Sequence, residues 1–213
     1  MSSEESWLSK MKDNKLISLF IDTATKALSV GAQYGNTKFT KGPMDSKKAL
    51  EQTNLAIEEL GRQGGFALKD VDNFYCLLGP GSNTGIRLGL TIPKTILAFK
   101  PEIHIYGIET LKLFLVGREN DIAALTDRSG NLFIGYYKND EYHFEKICKD
   151  DFQALDQSKT ILIEDKDIIA EEELKAYRTE KINVLQKMMD HPASFLDFTG
   201  KEEEYLPIYS QAI

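Results

Sequence analysis

Apolar and polar positions near the start of the chain alternate in the short runs that are typical of β-strands. Residues 16–21 (LISLFI) form a run of branched and aromatic side chains that ends at Asp22, which is the pattern of a buried strand. Two more strand patterns follow at 28–34 and 37–41, and a Gly-Asn pair between them predicts a turn. The chain is therefore predicted to begin with three consecutive antiparallel strands.

The apolar period then changes from that of strands to that of helices. Residues 46–62 and 84–99 each carry leucine and isoleucine at helical spacing among polar residues, which predicts two amphipathic helices. A strand is predicted on either side of the second helix, at 71–78 and at 103–108. This alternation of strands and helices predicts an α/β fold.

The second half of the chain repeats the opening pattern. Four candidate strands lie there, at 121–126, 132–137, 142–147 and 160–164. Because both halves begin with a strand triplet, the sequence predicts two related lobes with mixed sheets, one at 15–109 and one at 110–213. No low-complexity linker separates the two halves, which favours a packed pair over independent domains.

Residues 1–14 precede the first strand and show no periodicity. They are rich in serine, glutamate and lysine, so we expect a mobile N-terminal extension. Trp7 is the one tryptophan of the chain and leaves two interpretations open. It is either an ordinary residue of the extension or an anchor that docks on the body of the protein.

Charge and composition exclude several classes of protein. The 213 residues include 26 Lys+Arg and 33 Asp+Glu, a formal net charge of −7, whereas an autonomous nucleic-acid binder needs a basic face. No apolar run approaches the roughly 18–20 residues that span a bilayer, and the start does not resemble a signal peptide. Cys76 and Cys148 have neither disulfide-framework nor metal-ligand spacing. We therefore expect a cytoplasmic protein without a membrane segment.

The most informative stretch is glycine-rich and lies between a predicted strand and a predicted helix. It reads GPGSNTGIRLGL from Gly79, and it matches neither of the common phosphate-binding fingerprints. Backbone N–H groups at such a place can hold an anion, but a purely structural turn explains the segment as well. Gly85 and Gly89 lie one helical turn apart and allow another backbone to approach closely. That neighbour is either the protein's own sheet or a helix of another chain.

This stretch resembles the signature GPGSFTGLRIGLA of the TsaB (YeaZ) family. The opening LFIDTATKALSVG, the segment TDRSGNLF at 126–133 and the closing YLPIY at 205–209 are similar to further segments of that family, in the same order. The residues that match or stand in the signature are Gly79, Pro80, Gly81, Ser82, Thr84, Gly85, Arg87 and Gly89.

The resemblance implies a fold of the actin, sugar-kinase and Hsp70 (ASKHA) class and a non-catalytic role. Members of the family pair with TsaD, a larger homologous subunit that transfers a threonylcarbamoyl group to adenosine in tRNA. A small ATPase, TsaE, joins the pair. In such an assembly the partner holds the nucleic acid, so we expect no direct tRNA binding by this acidic chain.

The resemblance also implies that the two amphipathic helices form the subunit contact. A homodimer through the same helices is expected when the partner is missing. The candidate interface residues are Leu50, Ile57, Gly85, Gly89, Leu90 and Pro93. Proline at position 93 stands where the family has alanine.

No constellation of catalytic residues is evident. Asp22 is a candidate nucleotide contact, because ATP-using enzymes of this fold carry an acidic strand end followed by Gly-Thr, but Ala24 replaces that glycine here. Ser82 has no G-x-S-x-G context, and the three histidines lack metal-ligand spacing. We therefore expect no catalytic residue, metal or cofactor. The alternative function is an ATP-dependent phospho- or acyl-transferase of the same fold that acts alone.

Overall fold

The structure, a computed structural model, describes residues 15–127, 130–201 and 203–208. The predicted extension 1–14 with Trp7 lies outside the described residues. So do residues 128–129 and Tyr209 of the segments that resemble the family.

Eleven strands and five α-helices occur in the described part of the chain. The strands are β1 (Ile17–Asp22), β2 (Ser29–Tyr34), β3 (Thr37–Lys41), β4 (Asn73–Gly79), β5 (His104–Glu109), β6 (Ile122–Thr126), β7 (Leu132–Lys138), β8 (Glu141–Ile147), β9 (Ile161–Glu164), β10 (Thr179–Ile182) and β11 (Leu196–Asp197). The helices are α1 (Ala49–Gly64), α2 (Asn83–Leu97), α3 (Thr110–Leu115), α4 (Ile168–Glu173) and α5 (Val184–Asp190). Every strand and both long helices predicted from the sequence are present.

The strands form two sheets with the same topology. The first sheet has the order β11-β5-β4-β1-β2-β3 and the second has the order β10-β9-β6-β7-β8. In each lobe the first strand pairs antiparallel with the second and parallel with the fourth. Apart from β11 the two orders are identical, so the lobes repeat one structural unit, as the two strand triplets predicted.

Helices cover both faces of the first sheet. Gly64 of α1 lies against Phe39 of β3, and Gly89 of α2 lies against Ile21 of β1. The pairings in the sheet place Phe39 and Ile21 on the same face. Both α1 and α2 therefore pack on that face of the sheet. Gly31 on the opposite face meets α5.

The short helix α3 connects the lobes through its packing. Its residues Thr110, Leu111, Leu113, Phe114 and Leu115 are all buried. It contacts strands of both sheets, and one continuous apolar core runs from the first sheet through α3 to the inner face of the second. The lobes therefore form a packed pair.

The chain returns to the first sheet after the second lobe. β11 pairs antiparallel with β5, and the Ile208 amide donates a hydrogen bond to the Leu78 carbonyl at 2.7 Å. Tyr205 is fully buried. The predicted second lobe at 110–213 thus ends with a segment that belongs to the first, because the edge strand β5 needs partners for its free backbone groups.

Candidate functional site

The glycine-rich loop lies directly against the turn between β1 and β2. Ser82 caps α2 by accepting a hydrogen bond from the Gly85 amide at 3.3 Å, and the Ser82 amide donates to the Ala24 carbonyl at 2.7 Å. A Cβ on Gly85 would lie 1.7 Å from the Thr23 carbonyl oxygen, and one on Gly89 would lie 2.6 Å from Thr23 Oγ1. The close neighbour of these glycines is therefore the protein's own turn.

The other end of the loop contacts the C-terminal segment. Gly79 has a positive φ of 105°, and a Cβ there would lie 2.5 Å from the Ile208 carbonyl oxygen. Lys94 of α2 donates to the Tyr205 carbonyl at 2.8 Å. Two of the segments that resemble the family are thus in contact, although sequence spacing gave no sign of it.

Pro93 continues α2 without the hydrogen bond that a helix normally makes at that point. A proline has no N–H, so the Gly89 carbonyl lacks its usual donor four residues later. The Cys76 thiol of β4 lies 3.4 Å from that carbonyl and donates to it. Burial raises the pKa of the thiol to about 12, which keeps it protonated as a donor. Cys76 therefore compensates in part for the proline inside the helix.

A cluster of polar and charged residues lies between the two lobes, at the carboxyl ends of their strands. We call it the interlobe cluster, and it consists of Lys26, Thr126, Glu164 and Asp167. Lys26 belongs to the β1–β2 turn of the first lobe. Its ammonium contacts Thr126 Oγ1 and Asp167 Oδ1 of the second lobe at 2.5 Å each. The Lys26 amide donates to Glu164 Oε2 at 3.0 Å. One residue of the first lobe thus contacts three of the second.

Asp167 is the centre of this cluster. It is buried and accepts hydrogen bonds from the Thr126 amide at 2.8 Å and the Ala170 amide at 3.1 Å, besides the Lys26 ammonium. Burial acts to raise the pKa of Asp167, but the hydrogen bonds from Lys26 and Thr126 outweigh it and hold that pKa below its usual value. Asp167 is therefore ionised, and the ion pair joins the two lobes.

Two further carboxyl groups in or next to the cluster are fully buried. Asp22 accepts from the amides of Ala24 and Thr25 at 3.2 and 3.0 Å, and burial raises its pKa to about 6. Burial, with the negative charge of Asp22, raises the pKa of Glu164 to about 8. Glu164 Oε1 has no hydrogen-bond partner in the described part of the chain. Near neutral pH, Glu164 is therefore mainly protonated.

Glu164→Gln is expected to remove part of the pH dependence of stability. Because the folded-state pKa of Glu164 is raised to about 8, its stabilising effect is fully present below the unfolded-state pKa of about 4.5 and is lost as the pH rises through 8. Glutamine keeps the uncharged form at every pH. The variant should match the wild type at about pH 4 and exceed it by about 1–3 kcal/mol at about pH 9. Urea unfolding across this range measures both curves.

Glu58→Gln is the matched control for that series. Glu58 lies exposed on α1, so its variant should follow the wild-type curve at each pH. A Glu164→Gln curve that also follows the wild type would mean that Glu164 is ionised in the folded protein.

The cluster lies where enzymes of this topology would place a nucleotide, and its chemistry is unfavourable for one. The carboxyl ends of the strands carry Asp22, Glu164 and Asp167, and the Lys26 ammonium that lies beside them is already paired with Asp167. Triphosphate is strongly anionic and would meet the ionised carboxylates of Asp22 and Asp167 at close range. No group of three or more His, Cys, Asp or Glu side chains in the described residues could hold a metal ion.

The predicted interface residues mostly face the interior of their own lobe. Leu50 is exposed, but the others are buried against the sheet, and these are Ile57, Gly85, Gly89, Leu90 and Pro93. The apolar face of the two helices packs on the protein's own core, and a contact of these five residues with a partner helix stays a prediction. On the outer surface, Leu55 is exposed, and Leu88 and Ile92 are half-buried.

Ranges 15–127, 130–201 and 203–208 contain no helix that is both long and apolar enough to cross a membrane. Among the remaining signature residues, Thr84 and Arg87 are exposed at the start of α2, Pro80 is buried, and Gly81 is half-buried.

Comparison with known proteins finds similar sequences. Residues 43–200 match the family model described as "TsaD: tRNA N6-adenosine threonylcarbamoyltransferase". The chain is 30% identical to the tRNA threonylcarbamoyladenosine biosynthesis protein TsaB of Escherichia coli over 129 residues, which are 58% of this chain and 55% of that protein. It is 28% identical to TsaB of Bacillus subtilis over 137 residues, which are 62% and 59% of the two chains. The chain thus spans little more than half the length of these curated relatives.

A solved structure has the same fold. YeaZ from Pseudomonas aeruginosa superposes with a TM-score of 0.66 at 13% sequence identity, over 91% of this chain and 99% of that one. Together with the repeated strand order, this confirms the predicted two-lobed α/β fold with mixed sheets that open with antiparallel strand triplets.

Proposed function

Since the chain belongs to the TsaB (YeaZ) family, we propose that it is a non-catalytic subunit of the machinery that makes N6-threonylcarbamoyladenosine in tRNA. In this proposal it pairs with a larger, homologous TsaD-like catalytic subunit, and a small TsaE-like ATPase joins the pair. The acidic chain, with a net charge of −7, leaves contact with tRNA to the partner.

The interlobe cluster is the observation that carries the non-catalytic role. The cleft between the lobes is bridged by the chain's own Lys26, whose ammonium pairs with Asp167. A nucleotide bound there would have to break this pair and lie beside the buried carboxyl groups of Asp22 and Glu164. Both steps oppose binding of an anion. We therefore propose that the cleft is a structural joint.

The outer surface of α1 and α2 is the proposed contact for the catalytic subunit. We define the outer helix surface as Leu50 and Leu55 of α1 with Leu88 and Ile92 of α2. Leu50 and Leu55 are 62% and 52% exposed, although exposed leucines are unfavourable in water. Both helices pack on one face of the first sheet, so their outer surfaces point the same way. A standard interface of about 1,200–2,000 Å² would cover them. A second copy of the chain is the expected occupant when the catalytic subunit is missing.

The test is titration of the purified chain with its TsaD-like subunit, with and without the TsaE-like ATPase, by isothermal calorimetry. Replacing both Leu50 and Leu55 by aspartate should weaken binding at least about tenfold, since central apolar anchors each contribute more than about 1 kcal/mol. Leu196→Asp is the matched control, because Leu196 is 66% exposed on the edge strand β11. It should bind like the wild type.

Each outcome of that titration is decisive. A wild-type chain that fails to bind the catalytic subunit would contradict the proposed role. Binding that is unaffected by the double aspartate variant would place the contact elsewhere. Titration with ATP and Mg²⁺ tests the alternative, a transferase that acts alone: binding that is lost in Asp22→Ala would support it. We expect no such binding.

A further inference from the structure

A groove with an exposed aromatic side chain lies at the end of the first lobe where β1 begins. Its volume is about 780 Å³, and it lies at the C-terminal end of α2. Its apolar lining comes from Ile17, Tyr34, Ile96 and Phe99. Phe99 is 84% exposed, more than any other large apolar side chain of the described residues. Such an exposed phenyl ring on a groove is typical of a surface that another segment covers.

The backbone holds Phe99 in place. Its amide donates to the Ile96 carbonyl at 2.9 Å, and the Lys100 amide donates to the same carbonyl at 2.8 Å. The Lys100 ammonium then reaches the Val71 carbonyl at 2.8 Å and pairs with Asp72. The backbone at Phe99 is thus held by hydrogen bonds, so a partner would meet this position without ordering a loop first.

The segment 1–14 joins the rest of the chain beside this groove. Lys15 is one of the lining residues, and the segment 1–14 precedes it. Trp7 is eight residues before Lys15, and a chain of that length can span up to roughly 26 Å. The segment contains three large apolar side chains, those of Trp7, Leu8 and Met11.

We propose that this groove is the docking site of the chain's own N-terminal segment, with Trp7 packed against Phe99 and Tyr34. An offset-stacked or edge-to-face arrangement with these rings buries a large apolar area on a surface that is otherwise open. The segment thereby covers the end of α2, the helix that begins at the glycine-rich loop.

Because Trp7 is the single tryptophan, the fluorescence of the intact chain tests the proposal directly. The wild type should emit at a shorter wavelength than the same chain in guanidinium chloride, and acrylamide should quench it less. Phe99→Ala should shift the emission towards that of the unfolded chain and raise the quenching constant. Phe99 is exposed, so the variant should keep its circular dichroism spectrum.

Ile168→Ala is the matched control, since Ile168 is 65% exposed in α4 of the other lobe. It should leave both readings unchanged. Wild-type emission equal to that of the unfolded chain would overturn the proposal, as would protection that survives Phe99→Ala. Protection that grows with protein concentration would assign the segment to a second copy and would also overturn docking within one chain.

Discussion

Asp167→Ala is expected to lower the free energy of unfolding by about 3–5 kcal/mol, because it removes the acceptor at the centre of the interlobe cluster. The amides of Thr126 and Ala170 lose a buried acceptor at 2.8 and 3.1 Å. Lys26 also loses its partner, but its side chain is 38% exposed and water screens the ammonium. Its share is therefore the smaller one, about 1 kcal/mol. Urea unfolding measures the sum.

Asp190→Ala is the matched control for this effect. Asp190 pairs with Lys38 at 2.9 Å, as Asp167 pairs with Lys26, but both partners are well exposed to solvent. Its loss should cost no more than about 1 kcal/mol. Because the pKa of Asp167 is held below its usual value, the stability that it provides is present above the unfolded-state pKa and is lost on acidification. Equal losses in the two variants would mean that the cluster does not join the lobes.

Local sequence patterns predicted nine of the eleven described strands, both long helices and the repeated lobes, but not β10, β11 or the three short helices. Apolar or alternating runs that end in turn residues identified the strands, since central strands such as β1 and β4 are continuously buried or half-buried and outer strands such as β3 include exposed positions. β11 had no such signal. It comprises only Leu196 and Asp197, and its place beside β5 follows from the edge that the sheet leaves free. The return of the chain to the first lobe was therefore not predicted.

The sequence also identified which residues need close contact but not what they contact. The spacing of Gly85 and Gly89 placed them on one face of α2, and the structure places the β1–β2 turn against that face. The inward face of a surface helix is its apolar one, so choosing interface residues by helical spacing selected the buried face. The exposed fraction of each side chain distinguishes the inner face of the helix from the outer one, and that fraction is known only from the tertiary structure.

The interlobe cluster was even harder to predict from the sequence, because the topology of the two sheets brings its residues together. Glu164 and Asp167 belong to no motif, and they are far in sequence from Lys26, which lies in the opening segment 19–31. Their common property is that each lies at or just after the carboxyl end of a strand near the lobe junction. Such ends meet at one edge of a sheet, where open α/β folds carry their binding sites. Asp22 was recognised instead from the acidic strand end that ATP-using enzymes of this fold carry, and the rule about strand ends applied to β9 would have indicated Glu164.

Gly85→Ala is expected to destabilise the protein by about 3 kcal/mol, because the new Cβ overlaps a backbone atom. It would lie 1.7 Å from the Thr23 carbonyl oxygen. Relief requires a shift of the whole β1–β2 turn, and that turn carries Lys26 into the interlobe cluster. The gain of about 1 kcal/mol in helix propensity from glycine to alanine does not offset this overlap. Thermal and urea unfolding measure the loss, and Thr84→Ala on the exposed side of α2 should stay within about 0.5 kcal/mol of the wild type.

Gly89→Ala distinguishes a backbone clash from a side-chain clash in the same helix. Its Cβ would lie 2.6 Å from Thr23 Oγ1, a hydroxyl that can rotate away at the cost of its hydrogen bond to the Gly85 carbonyl. The expected loss is about 1–2 kcal/mol, smaller than that for Gly85→Ala. If the two variants lose equal stability, the β1–β2 turn shifts away from a new Cβ at no greater cost than rotation of the Thr23 hydroxyl. The glycine at position 85 would then not be required by packing against Thr23, and a contact with another chain would become the better explanation.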